Sequence, residues 1–257
     1  MTIAEIRASR SGADLTGVVD ELCVVVPAHN EQGLVGNCLS TLHHARRELR
    51  RHAPQITCRV VVVADACHDR TAGISHELGA TVIAAEHRNV GAARRDGVAA
   101  AIARSTSPLD RMWLASTDAD CEVPSYWLVH FVAAAIRGYH MVTGMVSPTP
   151  GLSAAELDAW KRRHRYVDGH PHIHGANLGF RADAYVGLGG WSPLRTGEDV
   201  ALVERAERQS GLRILRSARV PVRTSARRVG RAPEGFADYL STLRDSDFGG
   251  LTARTAI

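Results

Sequence analysis

Four short apolar runs punctuate the first half of the chain, at residues 22–26, 60–64, 81–84 and 112–115, and a helix-patterned segment separates each from the next. Runs this short, rich in valine and alanine, read as strands covered on both faces. Between the first two, Leu34, Val35, Cys38, Leu39 and Leu42 fall on one face of a helix within residues 31–51. Residues 69–78, with Asp69 as N-cap, and residues 91–103 supply the next two helices. Another is expected from Pro124 to about residue 136, since proline suits the first helical turn. Strand and helix in alternation give an α/β fold with a mostly parallel sheet flanked by helices. Ligands then bind beyond the carboxyl ends of the strands.

The second half is less regular. Residues 139–146 read as a strand, broken by Pro148-Thr149-Pro150-Gly151. Residues 153–166 look helical, opened by a capping box of Ser153 and Glu156. Residues 199–209 read as a helix ended by Gly211, and residues 212–215 as a short strand. The basic stretch 217–233 is poor in apolar residues and is expected to be mobile, with a last helix over residues 235–243. One domain is expected over residues 1–257. Its nucleotide-binding half spans about 21–121 and its acceptor half about 122–233, followed by a C-terminal tail, 234–257.

Composition narrows the function classes. The 257 residues are 45% hydrophobic, enough for one full core. No window of 18 uncharged apolar residues is present, so no transmembrane segment is expected. The first residues lack a signal-peptide pattern, and the five cysteines form no Cys-x-x-Cys. Both point to a cytoplasmic location with reduced thiols. Lys161 is the only lysine, and the net charge is +4. Arginine in that excess suits phosphate recognition, and equally a codon bias. Aromatic residues do not interleave with the basic stretch, so no nucleic-acid partner is expected.

Polar clusters follow the strands. Asp118-Ala119-Asp120 comes straight after the fourth run. Two aspartates at i and i+2 are turn formers more often than ligands, yet hard cations take such carboxylates together with substrate phosphates. Pro27-Ala28-His29-Asn30-Glu31 follows the first run, Asp65-Ala66-Cys67-His68-Asp69 the second, and Arg88-Asn89-Val90-Gly91-Ala92-Ala93-Arg94 the third. Gly197-Glu198-Asp199 opens a late helix. His170, His172 and His174 alternate, which in extended chain puts them on one face. Cys67-His68 makes a poor metal chelate, being adjacent and unpaired with a second motif.

With Gly175-Ala176-Asn177-Leu178-Gly179-Phe180-Arg181 and Gly189-Gly190-Trp191, these motifs in this order resemble glycosyltransferase family 2, over residues 21–210. The resemblance implies a GT-A fold, a single Rossmann-like nucleotide-binding domain. It also implies a nucleotide-diphosphate sugar donor, UDP-sugar first and GDP-mannose second. Pro27, Ala28 and Glu31 would line the nucleoside, and Asp65 would accept a hydrogen bond from the base. A second aspartate is common beside it, where this chain has Ala66. Gly91 would let backbone approach the ligand, and Arg94 would add charge at a helix N-terminus that already favours anions. Asp118 would meet the ribose, with Ala119 beside it in the nucleotide site. Asp120, with Asp118, would hold Mn²⁺ or Mg²⁺.

Glu198 and Asp199 resemble the family's acidic pair, whose aspartate is the general base of an inverting transfer. His172, His174, Asn177 and Trp191 would belong to the acceptor site. No histidine follows His174 to complete a metal shell, so that cluster is one place to look for a further ligand. Arg227 could clamp the diphosphate from a closing loop.

The expected function is a hexosyl transfer to a small-molecule or lipid-linked hydroxyl acceptor, with peripheral membrane contact and an open oligomeric state. Without membrane helices a processive polymer synthase is disfavoured. Rival readings are a retaining GT-A enzyme, a GDP-mannose-dependent mannosyltransferase, a nucleotidyltransferase and a non-catalytic nucleotide-sugar binder. A nucleotidyltransferase would place a glycine-rich basic loop after the first strand, and residues 27–31 are not one.

Overall fold

The computed structural model describes residues 18–228 and 236–242. One eight-stranded sheet runs through them in the order β3-β2-β1-β4-β7-β6-β8-β5. Strands β1 (Glu21–Ala28), β2 (Thr57–Asp65), β3 (Thr81–Ala85) and β4 (Met112–Ser116) are parallel neighbours. Helices α1 (Val35–His52), α2 (Thr71–Glu77) and α3 (Val90–Ala103) connect them. Every residue of β1 is buried. Its side chains go alternately to two cores: Leu22, Val24 and Val26 pack with Val35, Leu39 and Leu42 of α1, and Cys23 and Val25 with Ala93 and Val98 of α3. A strand sandwiched in this way has no polar face to show, which is why the run is uniformly apolar.

After β3 the chain crosses back to lay β4 on the other side of β1. That reversal opens a crevice at the carboxyl ends of β1 and β4, where ligands of such sheets bind.

The second half adds β5 (Cys121–Glu122), α4 (Trp127–Ile136), β6 (Met141–Pro148), α5 (Ala154–Arg163), β7 (Leu178–Arg181), α6 (Ala182–Gly187), α7 (Glu198–Arg208), β8 (Ile214–Thr224) and α8 (Phe236–Thr242). Strand β7 is antiparallel to β4 and β6, β8 is parallel to β6, and β5 is antiparallel to β8. The capping box is present: the Ser153 side chain accepts from the Glu156 amide, and the Glu156 carboxylate accepts from the Ser153 amide.

Three sequence expectations shift. Helix α4 starts at Trp127, whose amide donates to the Pro124 carbonyl at 3.0 Å, so proline precedes the helix. The strand expected at residues 212–215 extends through Thr224 as β8, so residues 217–224 are not a mobile segment. The arginines of this strand are satisfied at the surface, Arg216 by Glu207, Arg219 by Asp168 and Arg223 by Glu122. Their charge had masked a strand that buries Ser217, Val222 and Thr224. Residues 1–17, 229–235 and 243–257 lie outside the described residues.

Candidate active site

A cavity of about 970 Å³ opens at the crevice, lined by all the strand-end loops named above. Pro27, Ala28, Glu31, Asp65, Arg94, Asp118, Ala119, Asp120, His174, Glu198, Asp199 and Arg227 meet there. Three described non-glycine residues have left-handed backbone, Asn30, Ala66 and Arg88, with φ of 53°, 51° and 49°. Each lies just beyond β1, β2 or β3, so backbone strain gathers at this one rim, as it does at functional sites.

The loops are stitched to one another. His29 Nδ1 donates to the Asp65 carbonyl at 2.6 Å, and the Asn30 side-chain oxygen accepts from the His68 amide at 2.8 Å. Cys67 Sγ accepts from the Asn30 amide and donates to the Ala28 carbonyl, both at 3.3 Å. Asp65 takes three backbone amides: His87 at 2.6 Å, Arg88 at 2.9 Å and Asn89 at 2.9 Å. Most of its accepting capacity is therefore spent on holding the 87–89 loop, a role the sequence did not suggest. A base contact is left with the remaining lone pair.

The N-terminus of α3 is also occupied by protein. The Asn89 side chain accepts from the Ala92 amide at 2.9 Å, and the Gly91 amide donates to the Leu194 carbonyl at 3.1 Å. A Cβ at Gly91 would lie 2.1 Å from the Ser192 carbonyl oxygen. Gly91 thus permits the 192–195 loop to close on the helix rather than a ligand to approach it, which corrects the expected binding role.

Arg94 is the electrostatic centre of the floor. It is 2% exposed, donates to Asp118 Oδ1 at 2.6 Å and to Glu198 Oε1, and lies 5.1 Å from the Trp191 ring centroid. Its charge is engaged by carboxylates, so it organises the acidic residues instead of facing a diphosphate. Asp199 Oδ2 accepts from the Gly175 amide at 2.6 Å, and its Oδ1 from the Val200 amide at 2.8 Å. Burial raises the pKa of both Glu198 and Asp199, and Arg94 opposes the rise.

Asp118, Asp120 and Cys121 are a described group of three whose ligand atoms lie within 4.8 Å of one another. No histidine belongs to it. The Asp118 side chain is 35% exposed and the Asp120 side chain 11%. Burial pushes the Asp120 carboxyl up to about 6 despite Arg227 beside it. Arg227 bridges two functions, with one nitrogen 3.1 Å from Asp120 and another donating to Glu31 at 2.6 Å. Two carboxylates at the mouth of a strand, one open to the cavity, fit a hard divalent cation.

Two expected acceptor residues are structural. Asn177 is fully buried: its amide donates to the carbonyls of Met145 at 2.8 Å and Val220 at 3.0 Å, and its oxygen accepts from Trp127 Nε1. It bridges β6 and β8 where their register slips between Gly144 and Val146. Trp191 is 1% exposed and packs against Phe180 beneath Arg94. Neither lines the cavity.

The alternating histidines do share a face. His172 stacks on His164 at 4.5 Å between centroids, His164 on Trp160 at 3.5 Å, and His170 and His174 flank His172 at 6.0 and 6.1 Å. His174 alone of the four reaches the cavity, while His172 lies behind it.

Burial lowers these rings, His164 to about 4 and His174 to about 3. Unfolded, each titrates near 6.5. Between those values the unfolded chain binds more protons, so this contribution is complete above about pH 6.5 and falls as the pH drops toward 4. Asp120, Glu198 and Asp199, raised instead, act in the opposite sense, so the effect is read by difference. The His164→Phe variant keeps the stack without the titration. Its Tm drop from pH 7 to pH 5 is expected to be smaller than that of the parent by roughly 4–8 °C, for about 2 kcal/mol. Equal drops in differential scanning fluorimetry would contradict the assignment.

Sequence reading missed Arg88 and Arg195. Both are exposed, line the cavity and have no ion-pair partner among the described residues. Arg88 stood inside a recognised motif, but nothing in the pattern told its left-handed backbone. Arg195 sits on a loop whose position depends on Gly91 and on Asn89, whose side chain donates to the Pro193 carbonyl at 3.0 Å.

Residues 23–184, well over half of the chain, match the family described as Glycosyl transferase family 2. The chain belongs to glycosyltransferase family 2. A curated relative, the dolichyl-phosphate hexose transferase of Haloferax volcanii, is 28% identical over 171 residues, 63% of this chain and 66% of its own length. Among solved structures, S. aureus TarS 1-349 in complex with UDP superposes with a TM-score of 0.58 at 13% identity, over 80% of this chain and 60% of that one. M. tuberculosis glucosyl-3-phosphoglycerate synthase, in complex with Mn²⁺, UDP and glucosyl-3-phosphoglycerate, gives 0.54 at 16% identity, over 95% of this chain and 80% of that one. These likenesses concern the fold, which in this family-2 chain is GT-A. Its mixed second half is where it departs from a wholly parallel sheet.

Proposed function

We propose that this family-2 chain moves a hexosyl group from a UDP-sugar to a hydroxyl acceptor, small or lipid-linked, with inversion at the anomeric carbon. The observation that carries the reading is the convergence in one cavity of the Asp118–Asp120 pair, the nucleoside-side residues Pro27, Ala28 and Glu31, and the Glu198–Asp199 pair. UDP in the TarS and synthase structures, and Mn²⁺ in the latter, support the choice of donor base and metal. The name of the curated relative supports a lipid-linked acceptor.

Asp120 and Asp118 are the residues that would hold Mn²⁺ or Mg²⁺. Such a cation, when bound, stabilises the charge that develops on the leaving diphosphate. Arg227 neutralises Asp120 in the structure at hand, so a cation at Asp120 competes with it. Arg227, with Arg88 and Arg195 at the rim, would supply positive charge to the diphosphate. Glu198 is committed to Arg94 and keeps that guanidinium in place. Asp199 accepts from the Gly175 and Val200 backbone amides, and its burial raises its affinity for a proton, which suits a general base. The acceptor hydroxyl would lose its proton to Asp199 as its oxygen attacks the anomeric carbon, and the nucleoside diphosphate departs from the opposite face.

The anomeric configuration of the product tests the stereochemistry. From an α-linked UDP-hexose, the proton NMR spectrum of the glycoside should show the β-anomer. An α-product would mean a retaining enzyme and remove the base role from Asp199.

A further inference from the structure

The outer face of α5 and the turn after it carry a surface that the transfer chemistry does not use. Lys161, Arg162, Arg163 and Arg165 are all exposed, and none has an ion-pair partner among the described residues. Glu156 of the same helix is turned inward, 3% exposed, and accepts both terminal nitrogens of Arg228, at 2.9 and 3.0 Å. Asp158 is the helix's other carboxylate, so the outer face stays strongly positive. His164, in the middle of the basic run, goes the opposite way and stacks on Trp160.

Three apolar side chains sit among the cations: Leu157 at 37% exposure, Tyr166 at 38% and Val167 at 52%. The Tyr166 hydroxyl is fixed inward, donating to the Val146 carbonyl at 2.8 Å and accepting from Trp160 Nε1 at 3.1 Å. Val146 lines the cavity, so this surface adjoins it.

We propose that this face docks on an anionic phospholipid bilayer. Clustered Lys and Arg gain from the negative potential of such a surface, while Leu, Tyr and Val enter the interface beside them. A nucleic acid shares the charge but not the apolar component. Single strands favour several stacking aromatics among the cations, and here one ring stands beside two aliphatic side chains. Docking would bring the cavity to the lipid surface, where a lipid-linked acceptor is held. That consequence rests on the function proposed above; the docking itself does not.

The test is co-sedimentation of the full chain with vesicles of phosphatidylcholine alone or with roughly a third phosphatidylglycerol. The chain is expected to sediment with the anionic vesicles only, and to be released at about 1 M salt, where screening is short-ranged. The double variant Arg162→Glu/Arg163→Glu should lower the partition coefficient by about 100-fold or more. Val167→Asp should lower it by about fivefold. Unchanged Tm and circular dichroism show that both variants are folded. Failure of the parent chain to bind anionic vesicles overturns the proposal. So does equal binding by the double variant, or binding of single-stranded RNA in place of vesicles.

Discussion

Replacing Asp199 with asparagine is expected to lower kcat by about 10³-fold while the dissociation constant for the nucleotide donor changes by less than about threefold. The side chain lines the cavity and is anchored by the Gly175 and Val200 amides. Asparagine keeps its shape and one accepting oxygen but cannot take a proton. The neighbour provides the internal control. Glu198 is ion-paired with Arg94, so Glu198→Gln should act through stability and site geometry more than through proton transfer. A larger kcat loss in Glu198→Gln than in Asp199→Asn would exchange the two roles. Turnover within about tenfold of the parent in Asp199→Asn would remove the base role from Asp199.

Arg94→Met is expected to destabilise the fold by about 3–5 kcal/mol. Arg94 is the buried cation facing Asp118 and Glu198, with Asp199 also within its field. Without it Glu198 is left buried beside Asp199 and Asp118 with no cation between them. The lost stability corresponds to a Tm lower by roughly 6–20 °C at pH 7. The sign of the pH effect follows from the carboxylates. The pKa values of Glu198 and Asp199, already raised by burial, rise further, so protonation restores stability as the pH falls. The deficit should therefore shrink at pH 5, and the second-site change Glu198→Gln should recover part of it at pH 7. A variant that melts within about 3 °C of the parent would show that Arg94 does not hold the floor together.

The parallel half of the fold was legible because its strands are buried on both faces and its helices have one apolar stripe. Residues 22–26 could hardly be anything but a central strand. Strand β8 was not legible: Arg219 and Arg223 find carboxylate partners far away in sequence, Arg216 finds one on the preceding helix, and a pattern read locally records only their charge. At the site, most of the side chains named from the sequence meet in one cavity. What the pattern could not divide was contact from support. Asp65, Gly91, Asn177 and Trp191 all stand in recognisable motifs, yet they brace a loop, admit a close approach, bridge a register slip and floor an arginine. Those roles depend on partners tens of residues away.

The most direct test of the central claim, a nucleotide-diphosphate site closed by a cation on Asp120, is thermal stabilisation by UDP, GDP, CDP and dTDP with and without Mn²⁺. A ligand that binds only the folded state raises Tm by mass action. The account predicts that UDP stabilises the chain most, that Mn²⁺ enlarges the shift, and that the enlargement disappears in Asp120→Asn. Stabilisation by none of the four nucleotides, or a Mn²⁺ effect that persists in Asp120→Asn, would contradict it.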